Sequence, residues 1–247
     1  MKTTTVLAAA LTSLTLALAA PTAKRSPSSL IMPEQYIRRA ISPDCDLSTA
    51  LDNVTLPIAG TNPALPAPGD STYLAAVVIG RGTQNYTCGN DSTAAPVATG
   101  AIAVLYEASC VAAQDPSLLA SLPAQALSVP LPDDPECALV VGDQRLQRAG
   151  HHFFNAAKVP TFDFTESDDP ELGLGLMSVG VKSPAADPTC VPWLSLNRVD
   201  GSQGPIQAIY RLNTASGSAP ATCEGQEVGE FTVQYAAQYW VYSSDGD

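Results

Sequence analysis

The sequence has few basic residues: 12 lysines and arginines stand against 24 aspartates and glutamates, and the formal net charge is −12. Nucleic acids and anionic membrane surfaces attract basic proteins, so this acidic balance argues against both as partners. After the N-terminus, the sequence also lacks an apolar run long enough to span a bilayer. The composition therefore predicts neither a nucleic-acid-binding protein nor a membrane protein.

Metal-ligand patterns and catalytic signatures are scarce as well. The two histidines, His151 and His152, are adjacent, and adjacent residues on a strand point to opposite faces, so they cannot easily chelate one ion. There is no Cys-x-x-Cys pair and no Gly-x-Ser-x-Gly elbow. Gly69-Asp70-Ser71 is similar to the nucleophile block of GDSL esterases, but the Asp-x-x-His pair of such enzymes is missing. We predict no metal and no catalytic residue, with a hydrolase built around His152 as the alternative.

The N-terminal stretch MKTTTVLAAALTSLTLALAAP has a positive start, a short apolar run and small residues before a cleavage point. This pattern predicts a secretory signal peptide at residues 1–19, and the run is too short and too rich in Thr and Ser for a membrane anchor. Residues 20–44 are expected to form a leader that is cleaved after Lys24-Arg25. The remaining residues, 45–247, are expected to form a single β-rich domain, so we predict a secreted, extracellular protein.

Cysteines and glycosylation acceptors agree with export. An even number of cysteines in a secreted chain predicts three disulfides. The six cysteines are Cys45, Cys88, Cys110, Cys137, Cys190 and Cys223. The pattern Asn-x-Ser/Thr occurs three times and predicts N-glycans on Asn53, Asn85 and Asn90.

Short β-prone runs separated by turns fill most of the chain after residue 72. One helix is expected at Asp115–Leu122, because Asp115 can cap the first free amides and Pro116 suits the first helical position. One helix among many strands indicates an antiparallel arrangement instead of alternating βαβ units. The fold class predicted is all-β: an antiparallel β-sandwich or barrel with one or two short helices, stabilised by disulfides.

The stretch VVIGRGTQNYTC, residues 77–88, has a partial likeness to a dinucleotide-binding loop. The third glycine of that fingerprint is replaced by Asn85, and the residues that follow make a poor helix start, so no cofactor is predicted. The alternative is a glycine turn that enters a strand, with Gly80 and Gly82 supplying unusual backbone angles. Alternation then places Gln84, Tyr86 and Cys88 on the inner face and Asn85 outside.

Five sequence blocks carry a family resemblance. They are GRGTQNYTC (80–88), GHHFF (150–154), VPWLSL (191–196), YRLNTASGSAPATC (210–223) and VQYAAQYWVY (233–242). In this order they resemble the DUF3455 family of exported fungal and bacterial proteins, a domain of unknown function. The likeness runs from about Leu56 to Tyr242. It implies a bond between Cys88 and Cys223, because both lie in the shared blocks, and it leaves three pairings open for the other four cysteines.

Some fungal members of that family are labelled dehydrogenases, and without the dinucleotide fingerprint an NAD-dependent dehydrogenase is the least expected activity. The family supplies no established catalytic residues. Its blocks do include Gly80, Gly82, Gln84 and Tyr86, which we treat as a structural motif.

Alternation along Phe231–Tyr242 separates two faces. Val233, Tyr235, Ala237, Tyr239 and Val241 form a core face, and the opposite face contains Gln234, Gln238, Trp240 and Tyr242. The second face can pack inside the fold, or it can stack on a sugar together with Trp193. The candidate ligand-binding residues are therefore His152, Trp193, Gln238, Trp240 and Tyr242. We predict a non-catalytic extracellular or cell-wall protein whose partner is a wall polysaccharide or a host extracellular protein.

Overall fold

The computed structural model describes Cys45 and residues 50–134, 137–166 and 170–244. The predicted signal peptide and leader lie outside this part. The described residues form ten strands: β1 (Tyr73–Cys88), β2 (Val97–Glu107), β3 (Leu139–Val141), β4 (Gln144–Leu146), β5 (Arg148–Phe154), β6 (Pro160–Asp163), β7 (Leu174–Ser183), β8 (Trp193–Arg198), β9 (Ile206–Ser216) and β10 (Gly229–Ser243). Two helices, α1 (Ser109–Gln114) and α2 (Pro116–Ser128), lie between β2 and β3, and a 3-10 turn occupies Pro170–Leu172.

Eight of the strands close into an antiparallel barrel in the order β1-β10-β9-β8-β7-β6-β5-β2, and β3 and β4 form a separate hairpin. Each barrel strand pairs with its neighbours along the chain, so this is an up-and-down barrel in which β1 and β10 close the circle. The prediction of an all-β antiparallel fold is confirmed, and of its two alternatives the barrel is the one observed.

The barrel interior is a packed apolar core to which all eight strands contribute. Its largest buried members include Leu105, Phe162, Phe164, Met177, Ile209, Tyr235, Tyr239 and Val241. The face of β10 predicted to point into the core does so, with Tyr235, Ala237 and Tyr239 buried inside. An eight-stranded barrel is narrow enough for side chains to fill it, and these aromatic rings do most of the filling.

A second core lies outside the barrel, on the outer faces of β1, β2, β9 and β10. The two helices, the hairpin and residues from the N-terminal segment, including Leu51 and Leu65, cover it. Helix α2 begins as predicted: the Asp115 carboxylate accepts a hydrogen bond from the Leu118 amide, and Pro116 occupies the first position. The helix runs on past Pro123 to Ser128 because its buried side packs on this outer core.

The glycine-containing stretch is corrected by the structure. Gly80 and Gly82 lie within one continuous strand, β1, and neither has a positive φ. Their role is close approach: a β-carbon on Gly80 would overlap the Tyr239 ring, and one on Gly82 would overlap the backbone at Ile102. Glycine in a strand interior often marks such a contact. The predicted alternation holds, because Tyr86 and Cys88 are buried and Asn85 lies on the outer face, partly exposed.

Two disulfides join Cys45 to Cys110 and Cys88 to Cys223. The pairing implied by the family resemblance is therefore confirmed. The expectation of three disulfides is wrong, since Cys137 and Cys190 are both free. They lie on different parts of the fold. Cys137 is exposed just before β3, and the backbone of Cys190 forms an isolated antiparallel β-bridge with Gly217 at one end of the barrel.

Candidate functional site

One end of the barrel interior contains a layer of polar side chains among the aromatic rings. His152, on β5, is 4% exposed and stacks on Phe162, with ring centroids 4.1 Å apart. Its Nδ1 lies 2.9 Å from the Thr161 carbonyl oxygen, and because a carbonyl only accepts, Nδ1 carries the proton. Burial lowers the pKa of His152 to about 4, so the ring is neutral at neutral pH.

Arg211 and two tyrosines continue this layer across β9 and β10. The guanidinium of Arg211 donates from Nε and Nη2 to the Pro192 carbonyl, at 3.1 and 2.9 Å, and its positive charge lies near the Tyr239 phenol. The hydroxyls of Tyr235 and Tyr239 lie 2.9 Å apart. Burial raises the pKa of both phenols, which therefore stay protonated and act as hydrogen-bonding groups.

The layer ends beneath the segment that joins β9 to β10. Tyr86 donates from its hydroxyl to the Gly217 carbonyl at 2.7 Å, and Gly217 itself packs against Tyr235. Gln84 Nε2 is buried near Tyr235, where it partly offsets the rise that burial causes in that phenol's pKa. It makes no hydrogen bond of ordinary geometry. Cys223, on the same segment, is bonded to Cys88, so a disulfide holds the cover over the polar layer.

The contacts of His152 in this polar layer fit a structural role better than a catalytic one. Within the described part of the chain, His152 contacts a carbonyl and aromatic rings, and neither a carboxylate nor a hydroxyl nucleophile is hydrogen-bonded to it. A general base needs a proton donor within hydrogen-bond reach and a pKa near the working pH. The histidine proposed for a hydrolase thus lies in a packed core, and its role as a ligand-binding residue stays a prediction.

The outer face of β10 is not the open aromatic surface considered from the sequence. Gln238, Trp240 and Tyr242 are 0%, 2% and 7% exposed. Gln238 donates from Nε2 to the Leu119 carbonyl of α2 at 2.6 Å and accepts from the Trp240 indole at 3.0 Å. The alternative of packing inside the fold is therefore the one observed, because α2 covers this face. Trp193 is half-buried against the same outer core.

A cleft of about 560 Å³ lies at the same end of the barrel, between β1, β2, β5 and β10. We call it the Phe231 cleft. Its apolar walls are Ile102, Phe153, Phe154 and Phe231, and its polar lining includes Asn85, Thr99 and Thr232. Ile102 is 59% exposed, and Phe231 stacks on Tyr86 with ring centroids 5.6 Å apart. One cation, Lys158, and one anion, Glu230, also line it.

Apart from the glycosylation acceptor Asn85, the sequence patterns did not identify the residues that line this cleft, and they did not identify Arg211. The signal for Ile102 was present, because Ile102 alternates with the small buried residues Ala101 and Ala103 along β2. The signal for Arg211 was a single cation in the apolar run Ile206–Leu212. Neither signal shows which neighbours the fold supplies.

The three predicted glycosylation acceptors differ in setting. Asn53 and Asn90 are exposed outside the strands, whereas Asn85 lies on β1 and lines the Phe231 cleft. Among the described residues there is no group of His, Cys, Asp and Glu that could hold a metal ion. The helices in the described part are all too short or too polar to cross a membrane.

The fold and its interior define a closed antiparallel barrel with a polar layer under a disulfide-bonded cover. Residues 68–243 match the model of a family described as a protein of unknown function, DUF3455. The chain belongs to that family. No curated protein and no solved structure matches the chain.

Proposed function

We propose that the protein is a secreted, non-catalytic, saccharide-binding protein of the extracellular space or cell wall, and that its binding surface is the Phe231 cleft. The cleft carries this proposal. Its volume of about 560 Å³ falls in the range of small-molecule sites, and polar groups and apolar walls contribute about equally to its lining. Aromatic and aliphatic walls beside amide and hydroxyl groups suit the apolar faces and the hydroxyls of a sugar.

Export is supported by the signal-type N-terminus, by the two disulfides and by the three acceptor sequences. The acidic net charge of −12 favours a neutral or basic polysaccharide over an acidic one, since like charges repel. The buried, neutral His152 supports a non-catalytic role, because its ring is part of the packed interior.

The test is binding of the full chain to a panel of insoluble polysaccharides that includes neutral glucans, chitin and a pectin. The protein is produced in the bacterial periplasm, where disulfides form without N-glycosylation. We expect saturable binding to a neutral or basic polymer, weakened at least tenfold in Ile102→Asp, because a carboxylate would stand on the apolar wall.

Val140→Asp is the matched control. Val140 is a β-branched strand residue, 52% exposed, on β3, away from the cleft. Equal binding by Ile102→Asp and the wild type would move the site elsewhere on the surface. Retention of a host extracellular protein, with no polysaccharide retained, would replace the saccharide with a protein partner.

A further inference from the structure

The amide of Asn85 stands in the wall of the Phe231 cleft with its nitrogen unoccupied. Asn85 Oδ1 accepts a hydrogen bond from Thr83 Oγ1 at 2.9 Å, while Nδ2 makes no hydrogen bond to any described residue. Asn85 is also the acceptor of the sequence Asn85-Tyr86-Thr87, and an N-glycan is attached through that same nitrogen. The first sugar on Asn85 would therefore start at the wall of the cleft.

The other two acceptors provide a contrast within the same chain. Asn53 and Asn90 are exposed and line no part of the cleft, so a glycan on either projects into solvent. Around Asn85 the cleft offers apolar surface on which a sugar can pack: Ile102, which is 59% exposed, and Phe231 both line it. The groups that favour a free saccharide there also favour a tethered one, and tethering raises its effective concentration.

We propose that the N-glycan carried by Asn85 folds into the Phe231 cleft and blocks it, so that glycosylation of this one acceptor controls saccharide binding. The position of the glycan does not depend on the proposed function, and only its control of saccharide binding rests on that function. Attachment replaces one hydrogen on Nδ2 by the anomeric carbon of the first N-acetylglucosamine. The donor is a lipid-diphosphate-linked oligosaccharide, the lipid diphosphate is the leaving group, and the proton is lost to solvent.

The first experiment asks where the glycan lies, and it requires no ligand. The full chain is secreted from a eukaryotic host, and glycan removal by an endoglycosidase is followed at each acceptor by peptide mass spectrometry. In the native protein we expect the Asn85 glycan to be trimmed at least tenfold more slowly than the Asn90 glycan. The two rates should become equal after reduction and denaturation.

The second experiment asks what the glycan blocks. Asn85→Gln should bind the polysaccharide at least tenfold more tightly than the glycosylated wild type, and Asn90→Gln should bind as the wild type does. Thr87→Ser keeps an acceptor and the hydroxyl that bonds to the Gly229 carbonyl, so it should keep both the glycan and the weak binding.

The outcomes separate the two ideas. An unmodified Asn85, or a glycan trimmed there as fast as at Asn90, overturns the inference and leaves saccharide binding by the bare cleft standing. Unchanged affinity in Asn85→Gln overturns the blocking role. A protected glycan, together with a bare cleft that binds no polysaccharide, supports the seated glycan and rejects the proposed function instead.

Discussion

Gly80 lies against the ring of Tyr239, so closely that a β-carbon at position 80 would come within 2.9 Å of Cδ2 and nearer still to Cε2. β1 and β10 pair at this level, and the ring fills the space that a side chain on β1 would otherwise occupy. The missing side chain on one strand thus makes room for the aromatic ring that the neighbouring strand sends into the barrel.

Gly80→Ala is therefore expected to lower the free energy of unfolding by about 2 kcal/mol, the usual cost of forcing an extra group into a packed core. Gly82→Val should cost more, because its β-carbon would meet the backbone at Ile102, which cannot rotate away as a side chain can. Urea unfolding measures both. Gly89→Ala is the control, since nothing lies within 4 Å of its β-carbon, and a similar loss there would contradict this explanation.

His152 is expected to make stability depend on pH between about 6.5 and 4. The pKa is about 4 in the folded barrel, and it is about 6.5 for histidine in unfolded chains, so the unfolded chain takes up the proton first. Stability is complete above this window and falls as the pH drops through it, by about 3 kcal/mol in total.

Side-chain and backbone hydrogen bonds lower the pKa values of three carboxyl groups, those of Asp91, Asp115 and Asp187. These groups therefore affect the pH dependence of stability below their ordinary pKa of 3.8. Urea unfolding at pH 7 and pH 4.5 therefore isolates the histidine. His152→Phe should flatten the profile, whereas His151→Gln, outside the barrel interior, should preserve it. A histidine resonance assigned to His152 that titrates near 6.5 in the folded protein would refute this prediction.

Arg81 is expected to anchor α2 to the barrel. Its guanidinium donates to the Ala126 carbonyl at 3.0 Å and to the Leu127 carbonyl at 3.5 Å, and it bonds to Gln234 on β10. These carbonyls belong to the last turn of the helix, where a cation is favoured. Arg81→Met keeps the apolar stem and loses the hydrogen bonds.

We expect Arg81→Met to cost about 3 kcal/mol, since buried hydrogen bonds to a charged group are lost together. Amide hydrogen exchange should accelerate in α2 before it does so in the barrel strands. Arg145→Met, an exposed arginine on β4, should leave exchange in α2 unchanged. Uniform acceleration across the whole chain in Arg81→Met would show that the arginine supports the barrel and not the helix.

The number of free thiols per chain tests the observed disulfide pairing directly. Peptide mapping without reduction should recover Cys45 joined to Cys110 and Cys88 joined to Cys223. A thiol reagent should modify two cysteines per chain, with the exposed Cys137 reacting faster than the half-buried Cys190. Replacing Cys88 and Cys223 by serine should cost about 2–5 kcal/mol and loosen the cover of the polar layer. A mapped peptide that joins Cys137 to Cys190 would contradict the observed structure.

Local patterns predicted what depends on neighbours along the chain. The alternation of β10 identifies the interior residues Tyr235 and Tyr239, and the capping pattern identifies the start of α2. What covers the opposite face of β10 does not follow, because α2 reaches Gln238 through tertiary packing. The same alternation fits an exposed amphipathic surface and a buried polar contact equally well.

The two glycines illustrate a related limit. Gly80 and Gly82 in succession predict a turn, but the residues that require them, Tyr239 and Ile102, come from other strands. Barrel closure is equally non-local, since it depends on the first strand meeting the last. The Phe231 cleft could not be predicted for the same reason: its lining comes from β1, β2 and β5 together with β10, which is distant in sequence.

The pairing of β1 with β10, from Tyr73 with Ser243 to Cys88 with Gly229, also has a consequence for folding in time. A chain emerging from the ribosome or from an export channel presents β1 long before its partner exists. Until β10 arrives, the sheet has two open edges, and open edges recruit strands from other chains. Contacts between segments so distant in sequence also form slowly. Resistance to aggregation therefore comes only with the 15 residues of the final strand.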